Sequence, residues 1–166
     1  MIFDLSNKEL KTIDKDFFSS YTKEITQIYL NNNLLESLPD GLLKGCTKLE
    51  VINLWNNRLS TIPPSLFENC VNIKIIAIEK NKLVSLPQNL LKNCKKLEKA
   101  FFSENELTEI PTDFFDMNKK LLDIGFVENK IEKVNKNLLE NNSELVLFEF
   151  GDNNLSTIPE SLFKNC

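Results

Sequence analysis

The sequence predicts an α/β solenoid: about seven short parallel strands on a concave face, joined by short helical or 3-10 returns on a convex one. Three observations predict it. One stretch of text recurs along the whole chain at a constant period of 24 residues, the mark of a repeat architecture. Within each copy, pairs such as Ile52 and Leu54 or Ile76 and Ile78 alternate with other residues, the period of a strand with one buried face. A proline and a pair of large apolar residues then follow at fixed distance, as in Pro63 with Leu66 and Phe67.

In chain order the copies read IYLNNNLLESLPDGLLKGC, INLWNNRLSTIPPSLFENC, IAIEKNKLVSLPQNLLKNC, AFFSENELTEIPTDFFDMN, IGFVENKIEKVNKNLLENN and FEFGDNNLSTIPESLFKNC, after a weaker FDLSNKELKTIDKDFFSSY. Each full copy opens three residues earlier, at Ile25, Leu49, Ile73, Leu97, Leu121 or Leu145. One domain over residues 1–166 follows, with a weak first repeat at 1–24, repeats at 25–48, 49–72, 73–96, 97–120 and 121–144, and an incomplete last one at 145–166. Stacking seven such units gives a continuous parallel sheet. Asn33, Asn57, Asn81, Asn105, Asn129 and Asn153 share the slot where the chain leaves the strand. A side-chain amide there can serve backbone groups out of reach of the strand ladder, each bond contributing about 1 kcal/mol net. Pro39, Pro63, Pro87, Pro111 and Pro159 fix φ and start the return.

The recurring LxxLxLxxNxLxx[IL]P resembles the leucine-rich repeat superfamily, and the resemblance runs over the whole chain. The front of each copy is similar to the typical 24-residue class, and the FxNCxxL ending is similar to BspA-like repeats of bacterial and protist surface proteins. The resemblance implies a leucine-rich repeat horseshoe.

A longer period overlies the first. The second residue of the buried pair alternates as Phe18, Leu43, Phe67, Leu91, Phe115, Leu139, Phe163. Neighbouring coils stack about 5 Å apart, so rings in adjacent layers are expected to compete for volume, whereas Phe over Leu interdigitates. Duplication of an ancestral pair explains the same pattern. Cys46, Cys70, Cys94 and Cys166 share one column, where Tyr21, Asn118 and Asn142 stand in the other copies. Three readings of this column stand: buried free thiols, one bridge (Cys46 to Cys70 or Cys70 to Cys94), or a metal site. Columns hold side chains parallel, Cys166 lies about 15 Å beyond Cys94, and no CxxC clip converges there, so core-filling thiols are expected, with no metal and no cofactor.

Composition narrows the function. The chain has no histidine, which removes the commonest general base and the commonest metal ligand together. Nothing supplies a nucleophile with a base, so no enzyme is expected. The net charge is −4, and Arg58 is the one arginine among 20 basic residues, which leaves no stripe fit for a phosphate backbone. Apolar runs such as Ile75–Ile78 are far too short to cross a bilayer, and no secretory leader is recognisable near Met1. That, with unpaired cysteines, leans toward the cytoplasm. Sequons at Asn141 and Asn154, with the BspA-like ending, point instead to a secreted or surface protein.

Binding then falls to the outward strand positions, which a solenoid leaves free of packing duty. These form three columns, and in them Tyr29, Val51, Trp55, Ile75, Ala77 and Phe101 cluster over four adjacent strands, with Asn53 and Glu79 among them. An apolar patch rich in aromatic residues is the expected partner site, because Trp and Tyr are enriched among interface hot spots. Toward the C-terminus the face turns acidic, with Glu104, Glu106, Asp123, Glu128, Glu149 and Asp152 against Lys99 and Lys130. The expected function is a non-catalytic scaffold binding a protein partner, without nucleic acid and without membrane insertion. Two alternatives are a recognition or adhesion domain of a surface or secreted protein and the substrate-recognition part of a larger enzyme. Nothing in the sequence covers Leu145, Phe148, Phe150, Leu155, Ile158, Leu162 and Phe163, so the expected cover is either a continuation of the chain or a second copy in end-to-end self-association.

Overall fold

A computed structural model describes residues 1–166. Seven strands of three residues each, β1 (Ile2–Asp4), β2 (Gln27–Tyr29), β3 (Val51–Asn53), β4 (Ile75–Ala77), β5 (Lys99–Phe101), β6 (Asp123–Gly125) and β7 (Leu147–Glu149), form one parallel sheet in sequence order. The register pairs each residue with its counterpart one repeat later, as in Ile52↔Ile76 and Ala77↔Phe101. Every strand from β2 to β5 shows a half-buried, buried, half-buried pattern. Its central residue enters the core and the two flanking residues face outward, the phase expected of the coil.

The ladder extends beyond the strands. Leu54 N donates to Ala77 O at 2.7 Å and Asn56 N to Glu79 O at 3.0 Å, so pairing continues to the turn. A second ladder follows the slot asparagine: Arg58 N to Leu35 O, Lys82 N to Leu59 O and Glu106 N to Leu83 O, each at 2.9 Å. Between these rails sit the asparagine side chains. Asn81 Nδ2 donates to Leu54 O (3.0 Å) and Ile78 O (3.1 Å), while its Oδ1 accepts from Leu59 N (2.9 Å). Asn57, Asn105 and Asn129 repeat this arrangement. Each amide thus ties its own coil to the preceding one through both its donor and its acceptor, which is why the slot carries asparagine and not merely a polar residue.

The returns differ from the expectation. A 3-10 helix forms only at Ser19–Tyr21. Elsewhere the convex side is a string of isolated turns, as in Leu66 N to Pro63 O, Glu68 N to Ser65 O and Cys70 N to Phe67 O. Every second amide is bonded, so no helix propagates; the return must bring its chain back over a single coil height, which leaves no length for a further turn.

Forty buried apolar residues make one continuous core, with Phe3, Leu5, Leu145, Phe148 and Phe150 packed partly against it. The column of the Phe and Leu alternation holds no two rings in adjacent coils, but the strand column does. Phe102 and Phe126, one coil apart, stack with centroids 5.1 Å apart and planes 18° apart, so rings in adjacent layers are compatible. Volume is also balanced within a coil. The repeat at 97–120 packs Phe102 and Phe115 each against Phe114 and places Ala100 where β2, β3, β4 and β6 have isoleucine.

Candidate functional site

The alternation within each strand sends one column to the core and two to the opposite face of the sheet, and the turn off the strand adds a third. On this face all eight residues expected at the partner site, Tyr29, Val51, Asn53, Trp55, Ile75, Ala77, Glu79 and Phe101, are half-buried. None is in the core. Their partial shielding comes from each other, because register places them side by side across β2 to β5.

Several are held in place. The Tyr29 hydroxyl donates to Gln27 Oε1 at 3.0 Å. Trp55 N donates to Asn53 Oδ1 at 2.9 Å, which fixes the backbone below the indole. Phe101 lies against Gly125: a Cβ on that glycine would come 3.3 Å from Phe101 Cδ1 and 3.1 Å from Ser103 Oγ. The neighbouring strand therefore lacks a side chain where the ring rests. Lys80 Nζ sits 5.5 Å from the Trp55 ring centroid, a cation–π arrangement contributing about 0.5–1 kcal/mol at an accessible site.

Lys80, Gly125 and Gln27 were missed as members of this group. For Lys80 a signal existed: it follows the third outward column in the slot where earlier copies carry Asn32 and Asn56. The chain there is left-handed in every copy, with φ of 56° at Asn7, Asn32 and Asn56, 54° at Lys80, 55° at Glu104, 54° at Glu128 and 52° at Asp152. Asparagine tolerates that region; lysine and glutamate do so at a cost.

The electrostatics are uneven. Of the acidic residues expected on this face, Glu106 pairs with Lys130 at 2.8 Å; the other two ion pairs, Lys74 with Glu50 and Lys120 with Glu144, lie off the outward columns. Glu79 Oε2 and Asp123 Oδ1 are shielded from solvent without any hydrogen-bond partner. Burial, and then the charge of Glu104 in the next coil, push the Glu79 carboxyl above its ordinary value. Lys99 is the register partner of Asp123 but forms no ion pair with it.

The cysteine column lies apart from this face. Cys46, Cys70 and Cys94 are buried free thiols and Cys166 is exposed. Burial pushes Cys46 up to about 11 and Cys94 to about 12, and Cys70 further still with its two neighbours' charges adding. Asn118 and Asn142, which replace cysteine in this column, are fully buried and donate to Cys94 O and Asn118 O at 2.9 Å. No group of three or more Cys, Asp or Glu side chains converges in a way that could hold a metal ion. No helix is long and apolar enough to cross a membrane. Of the residues without an expected cover, Leu162 is buried, Leu145, Phe148, Phe150 and Leu155 are half-buried, and Ile158 and Phe163 are exposed.

Comparison with known proteins agrees with this fold. A family model described as a BspA type leucine-rich repeat region matches residues 3–97 and 56–166, in six copies. No curated protein matches the sequence. Among solved structures, a chain from the Drosophila Toll–Spatzle complex superimposes with a TM-score of 0.85 at 27% identity, over 92% of this chain and 22% of that one. A chain from the TLR13–ssRNA13 complex gives 0.85 at 21% identity, over 95% and 22%. The APL1 leucine-rich repeat domain gives 0.75 at 17% identity, over 95% and 50%. The chain thus spans about a fifth of the Toll and TLR13 chains and half of the APL1 domain.

Proposed function

We propose that this chain, which belongs to the BspA-type leucine-rich repeat family, is a non-catalytic scaffold that binds a protein partner on its concave face. Leucine-rich repeat proteins commonly mediate binding and are generally not catalysts. The observation that carries the reading is the half-buried cluster of Tyr29, Val51, Trp55, Ile75, Ala77 and Phe101 across four adjacent strands. These side chains lie outside the core yet are pre-positioned by Gln27, Asn53 and Gly125. Ordered aromatic side chains lose little entropy on docking, and such residues dominate interface energies.

Toll is seen in complex with Spatzle, a protein, and TLR13 with a single-stranded RNA. The protein case suits this face better, because Glu79, Asp123 and Glu149 among its strand positions would repel a phosphate backbone. The exposed Asn154 in its sequon is compatible with a surface or secreted recognition domain, and that setting changes the compartment, not the docking face.

Trp55→Ala and Phe101→Ala test the reading. Each is expected to weaken binding of a protein captured by the wild type by at least about 1–2 kcal/mol, with melting behaviour nearly unchanged. Normal binding by both variants would place the partner site elsewhere.

A further inference from the structure

We propose that the segment docking on this face is basic: an extended stretch of a partner protein that sets an aromatic or aliphatic side chain against Trp55 and Phe101 and brings a lysine or arginine to Glu79 and to Asp123. This rests on the docking face proposed above and specifies what that face accepts.

The starting observation is the pair of orphaned carboxylate oxygens. Glu79 Oε2 and Asp123 Oδ1 are both shielded and unpaired, an arrangement that persists only where something outside the chain completes it or where the cost is tolerated for another reason. The cations of this chain do not complete it. All three ion pairs engage other acids, Lys80 is committed to the Trp55 ring, and Lys99 leaves Asp123 unmatched although the two are register partners. Glu104, exposed in the coil after Glu79, adds a further negative charge. An incoming ammonium or guanidinium would gain charge-assisted hydrogen bonds in a partly dry setting, where they are strongest.

Spacing makes the apolar and acidic features one recognition pattern. Trp55 and Glu79 hold the same position in adjacent coils, about 5 Å apart. Asp123 lies two coils beyond Glu79, about 10 Å along the solenoid, and four residues nearer the strand start, about 13 Å across it, so about 16 Å away in all. An extended chain rises about 3.3 Å per residue, so one anchor and two basic residues, laid obliquely across the face, fit within about seven residues of partner. A polyanion meets the wrong charge and a purely apolar segment leaves both carboxylates unpaired.

Panning a random dodecapeptide display library on the purified wild type, Glu79→Gln and Trp55→Ala proteins tests this, followed by fluorescence anisotropy of labelled synthetic peptides. Wild type is expected to select peptides pairing an aromatic or aliphatic residue with lysine or arginine within about seven positions. Glu79→Gln is expected to bind those peptides about tenfold more weakly while melting at or above the wild-type temperature, a combination that a merely structural role for Glu79 would not give. Asp123→Asn provides a second variant should Glu79→Gln fold poorly. Peptides that need Trp55 but carry no basic preference would overturn this inference and leave the docking face standing. Peptides indifferent to Trp55→Ala would overturn the docking face itself. An absence of enriched peptides, or equal binding by a labelled single-stranded RNA, would overturn the proposal.

Discussion

Asn81→Ala removes one rung of the asparagine ladder, and the structure sets the size of the effect. Its amide donates to Leu54 O and Ile78 O, and its carbonyl accepts from Leu59 N. The two carbonyls are shared: Leu54 O also accepts from Asn57, and Ile78 O also accepts from Asn105. Alanine therefore leaves each carbonyl with one donor and strands only the Leu59 amide. Two bonds lost at about 1 kcal/mol each, plus a buried unpaired donor at about 1–3, give about 3–5 kcal/mol. Urea unfolding followed by Trp55 fluorescence and far-ultraviolet circular dichroism measures it. The same change at Asn153, which is only half-buried, is expected to cost about 1 kcal/mol, because water can replace the lost bonds. A cost below about 1 kcal/mol at Asn81, or equal costs at both sites, would refute the assignment of the ladder as the tie between coils.

Three further predictions follow from the core and the outward face. Ala100→Ile copies the residue of the neighbouring strands, yet it overfills a coil already holding Phe102, Phe114 and Phe115, so a loss of about 1–3 kcal/mol in urea unfolding is expected; a gain would show spare volume there. Glu79 is held above its ordinary carboxylate value by burial and then by Glu104, so its ionised form opposes folding fully above that raised value and the penalty is relieved as pH falls through it. Glu79→Gln is accordingly expected to stabilise the fold at pH 7 and to lose that advantage toward pH 4, and an equal gain at both pH values would contradict the cause. Cys166 is exposed while the other three thiols are buried with raised pKa, so a thiol reagent at pH 8 is expected to add one label to the native protein, counted by mass spectrometry, and four after unfolding; two or more native labels would show the column open.

Much of the fold was legible because a 24-residue period repeats the same physical problem seven times. The phase of the strand, the column of buried isoleucine and leucine, and the slot asparagine each follow from alternation and spacing alone. What escaped the sequence lies at scales below the repeat. The returns were expected to be helical or 3-10, but proline and the buried pair fix only the start and the packing of that segment, and the hydrogen-bond pattern between them depends on how far the chain must travel. The volume balance of Ala100 against three phenylalanines belongs to contacts within one coil, which comparison of columns does not reveal. On the concave face the phase of Trp55, Tyr29 and Phe101 was readable, whereas the Lys80 contact with Trp55 depends on a left-handed turn that the alternation rule does not describe. The unpaired state of Glu79 and Asp123 was likewise invisible, since the sequence places Lys99 one register step from Asp123 and only in the folded chain is it evident that they do not meet.

The docking face is tested most directly by amide chemical-shift mapping of the isotope-labelled protein titrated with a peptide whose binding requires Trp55. The largest shifts are expected at 51–55, 75–80 and 99–103, with the convex turns unmoved. Shifts centred on the returns at 63–70 and 87–94, with the strands unmoved, would contradict the assignment of the concave face.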